Sequence, residues 1–193
     1  MIEAGSIMAN NRLRQKQIEY TDIAHQNIQD RRATVRVPCG EQGVLHDYVP
    51  FYFAPRSPML FAISRGNVAG YQEGQTQVIY LVADAESVES NGIDFAFTDG
   101  HAIMGYSSFY NELAGLDCVI DWDLMNSRYW SDTEEDPDRK RRRQAEFLVY
   151  NCCPWHLIRE IGVINSQVQR QVEELLRNIN PCPPVRVYSN WYY

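Results

Sequence analysis

Apolar residues return at three- and four-residue intervals at Val168, Val172, Leu175, Leu176 and Ile179, the period of one helix face. Ser166 and Gln169 stand at the head of that run with capping-box spacing. Beyond it, Val185, Val187 and Ser189 alternate as a strand does. Shorter apolar, β-branched or aromatic runs predict strands over 49–53, 77–83, 95–98, 145–150 and 161–164. Ile18, Ile23 and Ile28 fall near one side of a helix that Thr21 or Asp22 can cap and that runs to Arg32. Ser57-Pro58 opens a helix over 58–64, with proline at its first position. Asp84 caps a short helix ending before Gly92, and Ser107 or Ser108 opens another to Leu113. Gly5 reads as the residue that closes a helix fragment over 1–4. Residues 37–47, with Pro38, Gly40 and Gly43, read as a loop, and 115–144, acidic then basic with weak periodicity, as a long one. Strands mixed with segregated helices predict an α+β fold, a mixed and mostly antiparallel split sheet flanked by helices.

At 193 residues the chain has the length of one domain, and its 45% apolar content excludes full disorder. No apolar run reaches the ~18 residues of a membrane helix, and MIEAGSIMANNR has neither the basic nor the apolar region of a secretory signal. A cytoplasmic protein with no membrane association is expected. The net charge of -7 excludes a uniformly basic nucleic-acid coat. It also hides a segregation: residues 84–138 carry fourteen acidic groups against Arg128 alone, and Arg139, Lys140, Arg141, Arg142 and Arg143 follow at once. That run reads either as a self-neutralising loop or as a contact for phosphates. Five cysteines, two of them adjacent and none in C-x-x-C spacing, predict reduced, mostly buried thiols with neither a zinc site nor a disulfide framework. No metal is expected.

Gln144 and Glu146 stand two apart at the mouth of the strand predicted over 145–150. On extended chain such residues point to one side, so an amide and a carboxylate would share one cleft. This is the layout of the Gln/Glu-x-Glu motif of ADP-ribosyltransferases. The surrounding stretches narrow the reading. HDYVPFYFAPRSPMLFAI at 46–63, FAFTDGH at 95–101, SRYWSD at 127–132, RKRRRQAEFLVY at 139–150, IQDRR at 28–32 and the final NWYY occur in the order and spacing of the DarT family. The chain resembles that family over essentially its whole length: toxins of toxin–antitoxin pairs that ADP-ribosylate DNA.

The resemblance implies a single DarT-like ADP-ribosyltransferase domain over 1–193 that takes NAD as co-substrate. It cleaves the bond between nicotinamide and ribose and transfers ADP-ribose to a base, in the best-known branch a thymine, in single-stranded DNA. The family's catalytic glutamate falls on Glu146 and its essential arginine on Arg32. Arg32, Gln144 and Glu146 then meet NAD, and His101 opens a substrate loop over 101–146. A carboxylate beside the ribose stabilises the positive charge that develops on bond cleavage. It can also bond the ribose 2′-hydroxyl or take a proton from the acceptor. Arg32 stays protonated, so its expected role is to polarise the acceptor base. Tyr129 and Trp130 offer faces to an unpaired base, with loop packing the competing use, foremost for Trp130. The five cations from Arg139 to Arg143 read as a phosphate track, implying steep salt dependence. Arg31 reads as a surface arginine and Arg56 as a loop pin to a carboxylate. His25, His46 and His156 read as structural. The family's opening strand, with its Tyr-His-x-Thr-like stretch that contacts NAD, has no counterpart here. A catalytically impaired single-stranded nucleic-acid binder, or a transferase acting on RNA or protein, are the competing readings. A macrodomain antitoxin is expected from the family alone.

Overall fold

The computed structural model describes residues 5–193. The helix fragment expected over 1–4 therefore lies outside the described residues. Gly5 does adopt φ +67°, and the chain passes from it into a strand, β1 (Ser6–Met8). The order that follows is α1 (Asn10–Gln15), α2 (Gln26–Arg32), β2 (Tyr48–Tyr52), α3 (Pro58–Ser64), β3 (Tyr80–Val82), α4 (Ala85–Ser90), β4 (Phe95–His101) and β5 (Phe109–Tyr110). After these come α5 (Leu116–Val119), α6 (Trp122–Asn126), α7 (Arg139–Arg142), β6 (Ala145–Tyr150), β7 (Cys152–Pro154), β8 (Glu160–Val163), α8 (Ser166–Leu176) and β9 (Val185–Val187).

The strands form three small sheets. β2, β6, β4 and β5 make the four-stranded one in that order, all antiparallel. β3, β8 and β9 form a second, whose β8–β9 pair is parallel, and β1 pairs with β7. The α+β expectation with a split, mostly antiparallel sheet holds. β6 is central because it is apolar on both faces: Phe147, Val149 and Ala145 join the main core with Phe97, Trp155 and Ile161, while Leu148 belongs to a second cluster with Leu45, Tyr48 and Ala96. A strand covered on both sides reads as a continuous apolar run, and AEFLVY is one except at Glu146. A carboxylate at that position is buried by the same packing that builds the core.

Three expectations shift. No helix opens at Ser107 or Ser108; Phe109–Tyr110 pairs with β4, where Tyr110 stacks on Phe97 at 5.2 Å. The long helix is capped not by Ser166 but by Asn165, whose Oδ1 accepts from the amides of Gln167 and Val168. The helix ending at Arg32 starts at Gln26, because Asp22 turns its carboxylate to the Ala24 amide and the Gln29 side chain. The five cysteines are free, as expected, but only Cys153 is buried while Cys118 and Cys182 are exposed.

Candidate active site

Glu146 lies on the second position of β6, 2% exposed. Opposite it in register is Tyr52 of β2, and directly opposed residues of an antiparallel pair share a face. On the other side the ladder is interrupted: Phe97 pairs with Phe147, but the next pair is His101 with Ala145. The surplus residues of β4 form a bulge. The Thr98 hydroxyl fills the gap, accepting from the Glu146 amide at 3.0 Å and donating to the Gly100 carbonyl at 2.6 Å. The bulge turns the end of β4 toward the carboxylate. The Ala102 amide donates to Glu146 Oε1 at 3.1 Å, and His101 Nδ1 lies 3.3 Å from the same oxygen. A carboxylate only accepts, which selects the tautomer with the proton on Nδ1.

Glu146 Oε2 accepts from Arg32 Nη1 at 2.7 Å. Burial raises the Glu146 carboxyl, but the charges and hydrogen bonds of Arg32 and His101 outweigh that and hold it down at about 2. Burial first, then the Glu146 charge, pushes the Tyr52 phenol above its ordinary value. Arg32 is held from behind. Gln29, one turn earlier on α2, donates to Asp22 Oδ1 at 3.0 Å and presents its carbonyl to His46 Nε2 at 3.0 Å. Arg31, expected to be a plain surface residue, donates to the Ile103 carbonyl at 2.8 Å and ties α2 to the segment after β4. Arg32 Nη2 is buried and has no hydrogen-bond partner among the described residues. A buried donor left unpaired costs free energy, so it is a fit for an oxygen of an incoming ligand.

The sequence-named residues divide. Arg32, His101 and Glu146 converge. Gln144 does not join them: the turn begun by α7 continues through it, and its side chain folds back to the Lys140 carbonyl at 3.0 Å. It is not extended, so the same-side inference fails for it. The expected phosphate track is also corrected. Arg141 is bound to Asp138 at 2.7 Å and Asp99 at 2.9 Å, and Arg142 to Asp121 at 2.9 Å and to Asp136. Arg143 is buried, donating to the carbonyls of Leu124 at 2.7 Å, Met125 and Pro55. Three of the five cations thus close the loop on itself. Arg139 donates to the Tyr129 carbonyl at 2.7 Å and lies 4.0 Å from Asp136, and Lys140 is exposed with no ion-pair partner among the described residues. Tyr129 is 77% exposed, whereas Trp130 packs edge-on against Phe61. Arg56 pins its loop to the Tyr192 carbonyl rather than to a carboxylate.

The sequence reading missed Thr98, Tyr52 and the Asp22–Gln29–His46 chain. Tyr52 sits inside the stretch 46–63, and its place opposite Glu146 follows only from strand register.

A carboxylate kept ionised inside a sheet and braced by an arginine and a histidine fits an ADP-ribosyltransferase. The family model described as "DarT: ssDNA thymidine ADP-ribosyltransferase" matches residues 1–193. A DNA ADP-ribosyl transferase of Thermus sp. (strain 2.9) is 40% identical over 195 residues, covering 100% of this chain and 90% of that protein. The solved structure of Thermus sp. 2.9 DarT in complex with ADP-ribosylated ssDNA superposes with TM-score 0.92 at 39% identity, over 100% of this chain and 89% of that one. Its complex with NAD+ gives TM-score 0.87 at 36% identity, over 100% and 90%. The chain belongs to the DarT family of single-stranded DNA thymidine ADP-ribosyltransferases and is an NAD-dependent enzyme of that class.

Proposed function

We propose that Glu146 and Arg32 are the pair on which this chain transfers ADP-ribose from NAD to a thymine of single-stranded DNA. One observation carries the assignment: a carboxylate 2% exposed, with both oxygens engaged, beside a buried guanidinium nitrogen that has no partner among the described residues. In the reaction, the nicotinamide leaves with the electrons of its bond to the ribose, and positive charge builds on the sugar. A negative charge already fixed and desolvated stabilises that charge with little reorganisation. Held at about 2, Glu146 is a weak base at neutral pH, so its part is electrostatic, and the acceptor's proton leaves to water. Arg32 uses its spare nitrogen to draw charge from a base oxygen as the acceptor nitrogen loses that proton. His101 orients Glu146 and stands at the start of the substrate loop.

Tyr129 offers an exposed ring to a neighbouring base, and stacking of this kind contributes about 1–3 kcal/mol. Arg139 and Lys140 meet phosphates beside it. The reading extends to the family's setting: a toxin active in the cytoplasm, neutralised by a macrodomain antitoxin that removes ADP-ribose.

Glu146→Ala, incubated with NAD and a mixed-sequence single-stranded oligonucleotide, should leave the oligonucleotide mass unchanged. The wild-type chain should add one ADP-ribose. A variant that modifies DNA at the wild-type rate overturns the assignment. Modified RNA or protein with untouched DNA would move the acceptor. Binding of DNA without a mass change would mark an impaired relative.

A further inference from the structure

The substrate loop is held to the rest of the molecule at a point far along the chain from the catalytic pair. Trp130, the residue after exposed Tyr129, donates from its indole Nε1 to the Tyr193 hydroxyl at 2.7 Å. That hydroxyl in turn donates to the Arg56 carbonyl at 2.6 Å, so both of its hydrogen-bonding capacities are used. The ring of Tyr193 meets Phe61 edge-on at 5.1 Å, and Phe61 meets Trp130 edge-on at 5.9 Å. The Arg56 guanidinium lies 4.2 Å over the Tyr193 ring. Gln75 grips the backbone on both sides, accepting from the Tyr193 amide at 3.0 Å and donating to its carbonyl.

The other side of this cluster reaches the active strands. Arg56 follows β2 by four residues and adopts φ +57°. Its neighbour Pro55 accepts from Arg143 at 2.5 Å, three residues before Glu146. Tyr193 therefore joins the exit of β2, the approach to β6 and the exposed part of the loop. Among the described residues, the other hydrogen bonds to the Tyr129 carbonyl stay within the loop: it accepts from Arg139 at 2.7 Å and from the Ser127 hydroxyl at 2.8 Å.

We propose that Tyr193 is a positioning residue for the DNA-facing loop. Its phenol fixes Trp130, and through Trp130 it fixes where Tyr129 stands relative to Glu146. The proposal rests on the reading that this loop meets the DNA. It assigns Tyr193 no contact with NAD or with the reacting atoms.

The test is Tyr193→Phe, which keeps the ring and removes the hydroxyl. Losing one hydrogen bond that orders the loop should raise KM for a thymine-containing single-stranded oligonucleotide about three- to tenfold. The affinity for NAD without DNA, and kcat at saturating DNA, should stay within about twofold, the scatter of a neutral change. Trp130→Phe removes the same bond from its other end and should raise KM equally. The double variant should be no worse than either single one, because groups joined in one interaction are not additive. An unchanged KM for DNA in Tyr193→Phe overturns the proposal, as does an equal loss of NAD affinity or full additivity in the double variant. A wild-type chain that does not modify single-stranded DNA overturns the proposal together with the reading beneath it.

Discussion

At the scale of a residue, Glu146 brings a charge to a place where burial alone would neutralise it. Arg32 and His101 prevent this; the Ala102 amide also donates to the carboxylate, and Thr98 fixes its backbone. The cost and the compensation give a signed dependence on acid. The carboxyl is held at about 2 in the fold against an ordinary 4.5. A lowered folded value means that its contribution to stability is complete above about 4.5 and is lost as pH falls toward 2. Urea unfolding of wild type and Glu146→Gln at pH 6, 4 and 3 should show a stability difference that shrinks with each step. A difference that stays constant would mean that the Arg32 pair does not set this carboxyl. Glu146 was legible in the sequence as one polar position inside an apolar run. Thr98 was not, because a threonine in a strand is ordinary until the bulge that contains it is known.

At the scale of an element, α2 is a short helix with no buried residue, and such a helix gains little from propensity alone. Its place is set by side chains: Gln29 to Asp22 and His46, Arg31 to the Ile103 carbonyl, and Arg32 to Glu146. Gln29 is the hinge pin of the three, because His46 is buried and its other nitrogen lacks a partner among the described residues. Gln29→Ala leaves that ring with none. The expected cost is about 1–3 kcal/mol, and the loosened Arg32 should lower kcat without first affecting the KM for DNA. Thermal melting and steady-state kinetics on the same sample check both halves. The end of this helix at Arg32 was legible in the sequence but its start was not. Asp22 can cap a helix or bond a glutamine seven residues further on, and local spacing does not choose between them. The same limit explains Ser107 and Ser108, where pairing of Phe109–Tyr110 with β4 overrides a sound capping signal. It also explains β1 and β7, three residues each, too short to show alternation.

At the scale of the whole molecule, charge is segregated along the chain and then largely cancelled around one loop. The acidic residues of 84–138 do not simply repel; Asp99, Asp121, Asp136 and Asp138 neutralise Arg141 and Arg142. Burial pushes Arg143 below the usual arginine range while three carbonyls hold it. Composition could count these cations but could not show which were already spent, because Asp99 meets Arg141 only after the sheet has formed. The consequence is measurable. Five free cations on a single strand would give a slope of log K against log salt near about -3.5, at ~0.7 per phosphate. With Lys140 unpaired among the described residues, Arg139 ion-paired only by a long 4.0 Å contact to Asp136, and Arg128 exposed nearby, the slope should lie near about -2. Lys140→Ala should flatten it by about 0.7, whereas Arg142→Gln should not flatten it, since its charge is spent inside the loop. Titrating a fluorescent thymine-containing oligonucleotide across a salt series distinguishes the two. A slope as steep as five phosphates require would mean that the carboxylates release their arginines when DNA arrives, and the loop would then be a device that opens on contact rather than a prebuilt frame.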